Sequence, residues 1–106
     1  MRVHVRSVPT ADERIESADA WWRANRPSAP DLFAQELRAA RELLSNSPEV
    51  GLRRWHKMIP GLRRLLLPKS RYHVYYAHNA RREEVLILAV WSAVRGRGPR
   101  LDRPTP

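Results

Sequence analysis

The sequence predicts an α+β fold in which a helical hairpin packs on one face of an antiparallel sheet of three to four strands. Three apolar runs, residues 62–67, 71–77 and 84–94, are separated by short polar breaks in the second half of the chain. Runs of this length that are rich in Val, Ile, Leu and Tyr are typical of consecutive antiparallel strands. Two segments of the first half carry apolar residues at helical spacing, and they can cover one face of the sheet. The predicted element order is β-α-α-β-β-β.

The third run is apolar on both of its faces. A strand with two apolar faces is usually central in its sheet and covered on both sides. Strict alternation predicts one face made of Val85, Ile87, Ala89 and Trp91 and another made of Leu86, Leu88 and Val90. We therefore expect the last strand to lie inside the sheet and to contribute to the core.

The chain begins with a predicted edge strand and a predicted helix. Residues 2–8 alternate between apolar and polar side chains, as expected for a strand at the edge of a sheet. The first helix is predicted over residues 10–25, where Thr10 and Glu13 have the spacing of a capping box. It should end before Pro27, because a residue that precedes proline disfavours the helical conformation.

A second amphipathic helix is predicted over residues 29–46, with Ser28 as its N-cap. Residues 52–60 then form a basic connector in which Trp55 and Met58 are expected to pack against the fold. The side chains expected to be buried in the core are Trp22, Phe33, Leu37, Ile87 and Leu88.

Size and composition indicate one small cytoplasmic domain. With 106 residues, the chain can form a single modest core, predicted to span residues 1–101, and residues 102–106 are predicted to be a flexible tail. The chain has no cysteine, which excludes disulfides and thiolate metal sites and suits a reducing compartment. No apolar run reaches the roughly 18 residues of a membrane span, and residues 1–8 lack the apolar core of a signal peptide.

The formal charge of +9 is concentrated in the second half of the chain. No Asp or Glu occurs between Glu49 and Glu83, whereas Arg and Lys are frequent there. Such a field attracts polyanions, namely nucleic acid, the ribosome or an acidic protein segment. The alternative is a solvated basic surface that only keeps the protein soluble.

The residues that could carry chemistry are few. The four histidines lack metal-ligand spacing, and the glycines after Arg95 do not form a P-loop. The sequence also shows no paired carboxylates and no nucleophilic triad. We therefore expect no metal and no cofactor. His73 could act as an acid or base beside a phosphate, or it could be a half-exposed strand residue. Tyr72, Tyr75 and Tyr76 could stack on bases or pack within the sheet.

Several short motifs, in one order and spacing, cover nearly the whole chain. They are Trp21-Trp22-x-x-Asn25-Arg26-Pro27, Leu32-Phe33-x-x-Glu36-Leu37, Pro48-x-x-Gly51, Arg63-Arg64-Leu65-Leu66-Leu67-Pro68-Lys69-Ser70, Tyr72-His73-Val74-Tyr75-Tyr76, Val85-Leu86-Ile87-Leu88-Ala89-Val90-Trp91, Arg95-Gly96-Arg97 and Pro99-Arg100-Leu101. On these residues the chain resembles the ParE branch of the RelE/ParE toxin superfamily.

The resemblance implies the β-α-α-β-β-β fold and a toxin of a bacterial type II toxin–antitoxin module of the kind that stabilises plasmids. It implies an acidic antitoxin protein as partner and a heterotetramer or larger toxin–antitoxin complex. ParE-like members are associated with inhibition of DNA gyrase without a known catalytic site. RelE-like members cut messenger RNA on the ribosome, commonly with a C-terminal Tyr and often an Arg where this chain has His73. No Tyr follows the last strand here, so the resemblance favours a gyrase inhibitor that is not an enzyme.

The resemblance and the charge together predict three groups of site residues. The residues expected to contact the target are Arg64, Arg71, Arg95 and Arg97. The residues expected to contact the antitoxin are Trp21, Arg64, Arg71 and Tyr75. If the chain is instead a ribosome-dependent endonuclease, the expected catalytic residues are Arg64, Arg71, His73 and Arg95.

Overall fold

Two helices and five strands make up the computed structural model, which describes residues 2–95 and 97–101. The predicted tail of residues 102–106 lies outside the described residues. In chain order the elements are β1 (His4–Ser7), α1 (Pro9–Asn25), α2 (Leu32–Asn46), β2 (Leu52–Arg53), β3 (Leu62–Leu67), β4 (Tyr72–Asn79) and β5 (Glu84–Ser92).

The five strands form one mixed sheet in the order β1-β5-β4-β3-β2. The α+β class, the helical cover and the edge position of β1 are confirmed. The predicted sheet had three to four antiparallel strands, but β1 pairs with β5 in parallel, and the short β2 extends the other edge. The parallel pairing arises because α1 and α2 carry the chain across the sheet before the antiparallel strands begin.

A β-bulge in β5 reverses the faces of its last residues. Tyr75 pairs with Ala89 and Tyr76 pairs with Ile87, so Leu88 is an additional residue on the β5 side. The bulge shifts the alternation by one position, and the prediction of strict alternation was therefore wrong beyond this point. The residues whose relative face is reversed are Ala89, Val90 and Trp91.

The N-cap of helix α1 lies two residues earlier than the capping-box sequence predicts. Val8 donates its N–H to Ile87 O as a continuation of the sheet, and its own carbonyl accepts the N–H of Asp12. Pro9 follows as the first helical residue, a position where its missing N–H costs nothing. Val8 is thus the N-cap and the Thr10 capping box does not form. The hydroxyl of Ser7 instead binds the Asp12 carboxylate.

Helix α2 begins at Leu32, so the prediction of residue 29 as its start and Ser28 as its N-cap was wrong. The carbonyl of Ala29 accepts the indole N–H of Trp22 at 2.8 Å and the N–H of Leu32 at 3.2 Å. These bonds hold the connection as a turn against α1, and the N-cap residue is Asp31.

The core is divided by the sheet into two clusters. The larger cluster lies between the sheet and the helices and contains Trp22, Phe33, Leu37 and Ile87. The smaller one lies on the opposite face around Ile59, and it includes Leu88. All five residues predicted to be buried are at most 7 % exposed, which confirms them and the central position of β5.

Tyr76 ties the start of the basic connector to the sheet. Its hydroxyl donates to Pro48 O at 2.9 Å and accepts the N–H of Gly51 at 2.9 Å. A Cβ on residue 51 would lie 2.6 Å from the same oxygen, so the approach requires glycine. Arg63 adds hydrogen bonds to Glu49 O and Gly51 O.

We expect Tyr76→Phe to lower the free energy of unfolding by about 1–3 kcal/mol, because the buried N–H of Gly51 would lose its acceptor. Urea denaturation followed by circular dichroism measures this change. Tyr75→Phe is the matched control on the other face of the same strand. Equal stability of the two variants would show that the Tyr76 hydroxyl does not hold the connector.

Candidate functional site

The sheet face opposite the helices carries the candidate site, and we call it the open sheet face. Strand register places Arg64 beside Tyr75 and Leu66 beside His73, and it places Trp91 on the other side of His73. Alternate residues of β3 and β4 point toward the helices, since Leu65, Leu67, Tyr72, Val74 and Tyr76 belong to or pack against the larger core cluster. The open sheet face therefore presents aromatic and basic side chains side by side.

His73 lies among several guanidinium groups on this face. Partial burial lowers the pKa of His73 below its usual 6.5, and the positive charges of Arg64, Arg54 and Arg71 lower it further. The ring of Tyr75 lies edge-on with its centroid 6.1 Å from that of His73. The lowered pKa favours the uncharged imidazole, the form that can accept a proton.

Arg71 is brought to the site by a tight turn between β3 and β4. The carboxylate of Glu36, on α2, accepts the N–H groups of Lys69 at 2.9 Å and Ser70 at 2.7 Å. Arg71 has a positive φ of 64°, and its carbonyl accepts the N–H of Ala93 at 2.7 Å. Because these bonds hold the turn from both sides, Arg71 enters β4 at a defined position next to His73.

Residues 97–101 lie across part of the open sheet face. The indole N–H of Trp91 donates to Arg97 O at 2.7 Å, and the Arg95 guanidinium lies 4.5 Å from the centre of the same ring. A Cβ on residue 98 would lie 3.1 Å from the Tyr75 hydroxyl oxygen, so the chain passes close to that tyrosine. Leu101 packs against the smaller core cluster.

The three tyrosines are engaged in packing or in structural hydrogen bonds. Tyr76 is fully buried and bonded to Gly51 and Pro48. Tyr72 packs on Phe33 with ring centres 5.0 Å apart, and burial raises its pKa while Arg95 opposes that rise. Tyr75 is 7 % exposed, and its hydroxyl lies close to Gly98.

The structure brings together some of the predicted site residues and separates others. Arg64, Arg71 and His73 form one cluster. Arg95 and Arg97 follow the end of β5 beside Trp91. Trp21 lies on α1, where it lines a groove of about 460 Å³ together with Arg95 and Trp91.

Sequence reasoning missed two contributors to the site. Arg54, in the basic connector, lies close enough to lower the pKa of His73. Glu36 holds the turn that precedes Arg71. The sequence shows Arg54 only as one of many basic residues and does not place it beside His73. The carboxylate of Glu36 reaches its partners only through the packing of α2 on β3.

Two negative findings apply to residues 2–95 and 97–101. No cluster of three or more His, Asp or Glu side chains that could bind a metal ion is present among them. None of their helices is both long enough and apolar enough to cross a bilayer.

Comparison with known proteins supports the fold. No protein-family model matches the sequence, and no curated protein is significantly similar to it. A chain of the chromosomal ParDE toxin–antitoxin system from P. aeruginosa superposes with a TM-score of 0.67 at 15% identity, covering 86% of this chain and 96% of its own.

Two further solved structures superpose on the same elements. A chain of the RelBE2 toxin–antitoxin complex from Mycobacterium tuberculosis gives a TM-score of 0.63 at 20% identity and covers 87% of this chain and 99% of its own. The isolated E. coli RelE toxin gives a TM-score of 0.56 at 20% identity and covers 89% of this chain and 87% of its own. At these identities the similarity concerns the fold, and on that ground the chain has the fold of the RelE/ParE toxin superfamily.

Proposed function

We propose that this chain is the toxin of a type II toxin–antitoxin module, that it acts in the cytoplasm as a ParE-like inhibitor of DNA gyrase, and that a cognate antitoxin neutralises it. Its fold is that of chains from ParDE and RelBE2 toxin–antitoxin systems. Its charge of +9 and its basic open sheet face suit a polyanionic or acidic target.

The engagement of the tyrosines favours action by binding over action by cleavage. Cutting RNA through the 2′-hydroxyl needs a base, an acid and cations for the developing charge. His73 can supply one proton-transfer group. The Tyr72 and Tyr76 side chains pack on the helix side of the sheet, and the Tyr75 hydroxyl lies against Gly98. No tyrosine therefore offers a free hydroxyl as the second proton-transfer group beside His73.

A ribosome-dependent mRNA endonuclease is the second candidate, and one observation favours it. His73 has a lowered pKa and lies among Arg54, Arg64 and Arg71, which places a neutral base next to cations that could bind a phosphate. In that case His73 would act as the general base, and Arg64, Arg71 and Arg95 would stabilise the phosphorane.

Controlled induction in growing cells separates these two functions. A gyrase inhibitor should induce the DNA damage response while translation continues at first, and purified chain should block supercoiling by gyrase. An endonuclease should arrest translation first and leave new RNA ends within ribosome-bound messages. Translation arrest without DNA damage would contradict the gyrase proposal and favour the second candidate.

We expect the antitoxin to be an acidic, partly disordered segment that folds against the sheet and its basic rim, where it contacts Arg64, Arg71 and Tyr75, and that reaches Trp21 in the groove beside the helices. Of these, Trp21 is 46% exposed and available for such a contact. Tyr75 is covered by residues 97–101, so a direct contact with it requires that these residues be displaced.

The association rate of this antitoxin segment should fall by about tenfold or more as salt is raised from low to high ionic strength, because charge steers the encounter. Stopped-flow mixing measures the rate. Arg71→Gln should reduce both the rate and its salt dependence, whereas Arg82→Gln, at the opposite end of β4, is the control. A rate that does not respond to salt would contradict an electrostatic contact at this face.

A further inference from the structure

The loop between β2 and β3 presents Trp55 to solvent. The sequence predicted that Trp55 and Met58 would pack against the fold, but Trp55 is 86% exposed and Met58 43% exposed. For Trp55 the prediction was wrong. A single exposed apolar side chain is ordinary on a protein surface, so a role for Trp55 depends on the residues around it.

The loop that carries Trp55 is held by defined contacts. Arg54 donates its N–H to Leu62 O at 2.9 Å, and Ile59 is inserted into the smaller core cluster. Between them, the N–H groups of Met58 and Ile59 bond to Nδ1 and O of His56 at 3.1 and 3.3 Å. Trp55 is therefore exposed because the turn directs Ile59 inward and leaves the indole on the outside.

Cationic residues flank this tryptophan in the sequence and line the same groove. Arg53, Arg54 and Lys57 are exposed on the same loop, and the loop lines a groove of about 660 Å³. The sequence has no Asp or Glu from residue 50 to residue 82, so no carboxylate neighbouring in sequence neutralises them. An exposed aromatic ring between several cations combines the two contacts that single strands need, base stacking and phosphate pairing.

The loop continues into the open sheet face. Arg54 is close enough to His73 to lower its pKa, as are Arg64 and Arg71. Cationic groups thus extend from Lys57 through Arg54 to the cluster around His73. A strand bound at the loop would find further phosphate partners in the direction of that cluster.

We propose that the loop of residues 53–57 is a binding site for single-stranded nucleic acid, in which one base stacks on Trp55 and Arg53, Arg54 and Lys57 pair with the flanking phosphates. This goes beyond the proposed function, since it holds whether or not gyrase is the target. A free base is preferred over an acidic peptide because a peptide anchor needs an apolar pocket around it. Trp55 instead offers an open ring face, which a splayed base can use.

Fluorescence anisotropy of labelled dT12 and rU12 with the purified full chain tests the proposal. Trp55→Ala should raise Kd by about tenfold, the value of one stacked base, and Trp55→Phe should recover part of the loss. Leu43→Ala removes an exposed apolar side chain on α2 and should leave Kd unchanged. Tight binding of either strand supports the site, and the ratio of the two affinities shows whether the loop meets DNA or RNA.

Charge variants test the phosphate contacts separately. Lys57→Glu should weaken binding. It should also reduce the magnitude of the negative slope of log K against log salt by about 0.7, since one phosphate contact is lost. Arg38→Glu makes the same charge change at an exposed position on α2 and should change the affinity much less. Unchanged oligonucleotide affinity in Trp55→Ala would overturn the proposal, as would equal losses in Trp55→Ala and Leu43→Ala. A Trp55→Ala variant that loses affinity only for a Glu-rich peptide would identify a protein-binding loop instead.

Discussion

Charge reversal in the Arg95→Glu/Arg97→Glu variant should abolish toxicity, whereas His73→Ala should leave it nearly unchanged. Arg95 lies over Trp91, and Arg97 is exposed in the segment 97–101 that crosses the open sheet face. In an inhibitor that acts by binding, carboxylates at these positions would repel an acidic or DNA-bearing target. Growth after induction at matched expression measures the effect.

The control for this experiment is Arg81→Glu/Arg82→Glu, which makes the same change of net charge in the exposed turn between β4 and β5. Toxicity should persist in the control, because that turn is at the other end of the sheet. For an endonuclease the pattern reverses, and His73→Ala should reduce the cleavage rate by about 10²–10⁴-fold. Ribosome-dependent cuts that disappear in His73→Ala would refute action by binding alone.

Ile87→Ala and Leu37→Ala should each lower the free energy of unfolding by about 2–5 kcal/mol, because both leave a cavity in the larger core cluster. Ile87 is 0% exposed in the central strand and Leu37 is 6% exposed on the α2 face that covers the sheet. Urea denaturation at equilibrium measures both values. For a domain of this size such a loss is a large part of the total stability.

Leu66→Ala is the matched control. Leu66 is 39% exposed on the open sheet face, so its substitution removes much less buried surface. It should cost clearly less than either core variant. A cost for Ile87→Ala no greater than for Leu66→Ala would mean that β5 does not form the centre of the core.

The sequence alone determined the helices, the three long strands and the core residues, because each depends on a local pattern. The apolar stripe of α2 and the two-sided apolar run of β5 specify burial without knowledge of the partners. Element ends were less predictable. Both helix starts depend on bonds that the capping signals do not contain, Val8 to Ile87 and Trp22 to Ala29.

Part of the candidate site also could be predicted from the sequence. The clustering of Arg64, Arg71 and His73 follows from alternation along two paired strands. The contribution of Arg54 could not be foreseen, because it depends on where a long connector lies relative to the sheet.

Three features were decided only by the tertiary structure. The bulge at Leu88 cannot be read from a run in which every residue is apolar, because a shift of register leaves the pattern unchanged. The parallel pairing of β1 depends on the path of the two helices across the sheet. The exposure of Trp55 depends on which residue of its loop enters the core. Ile59 occupies that position, and the indole of Trp55 is left in solvent.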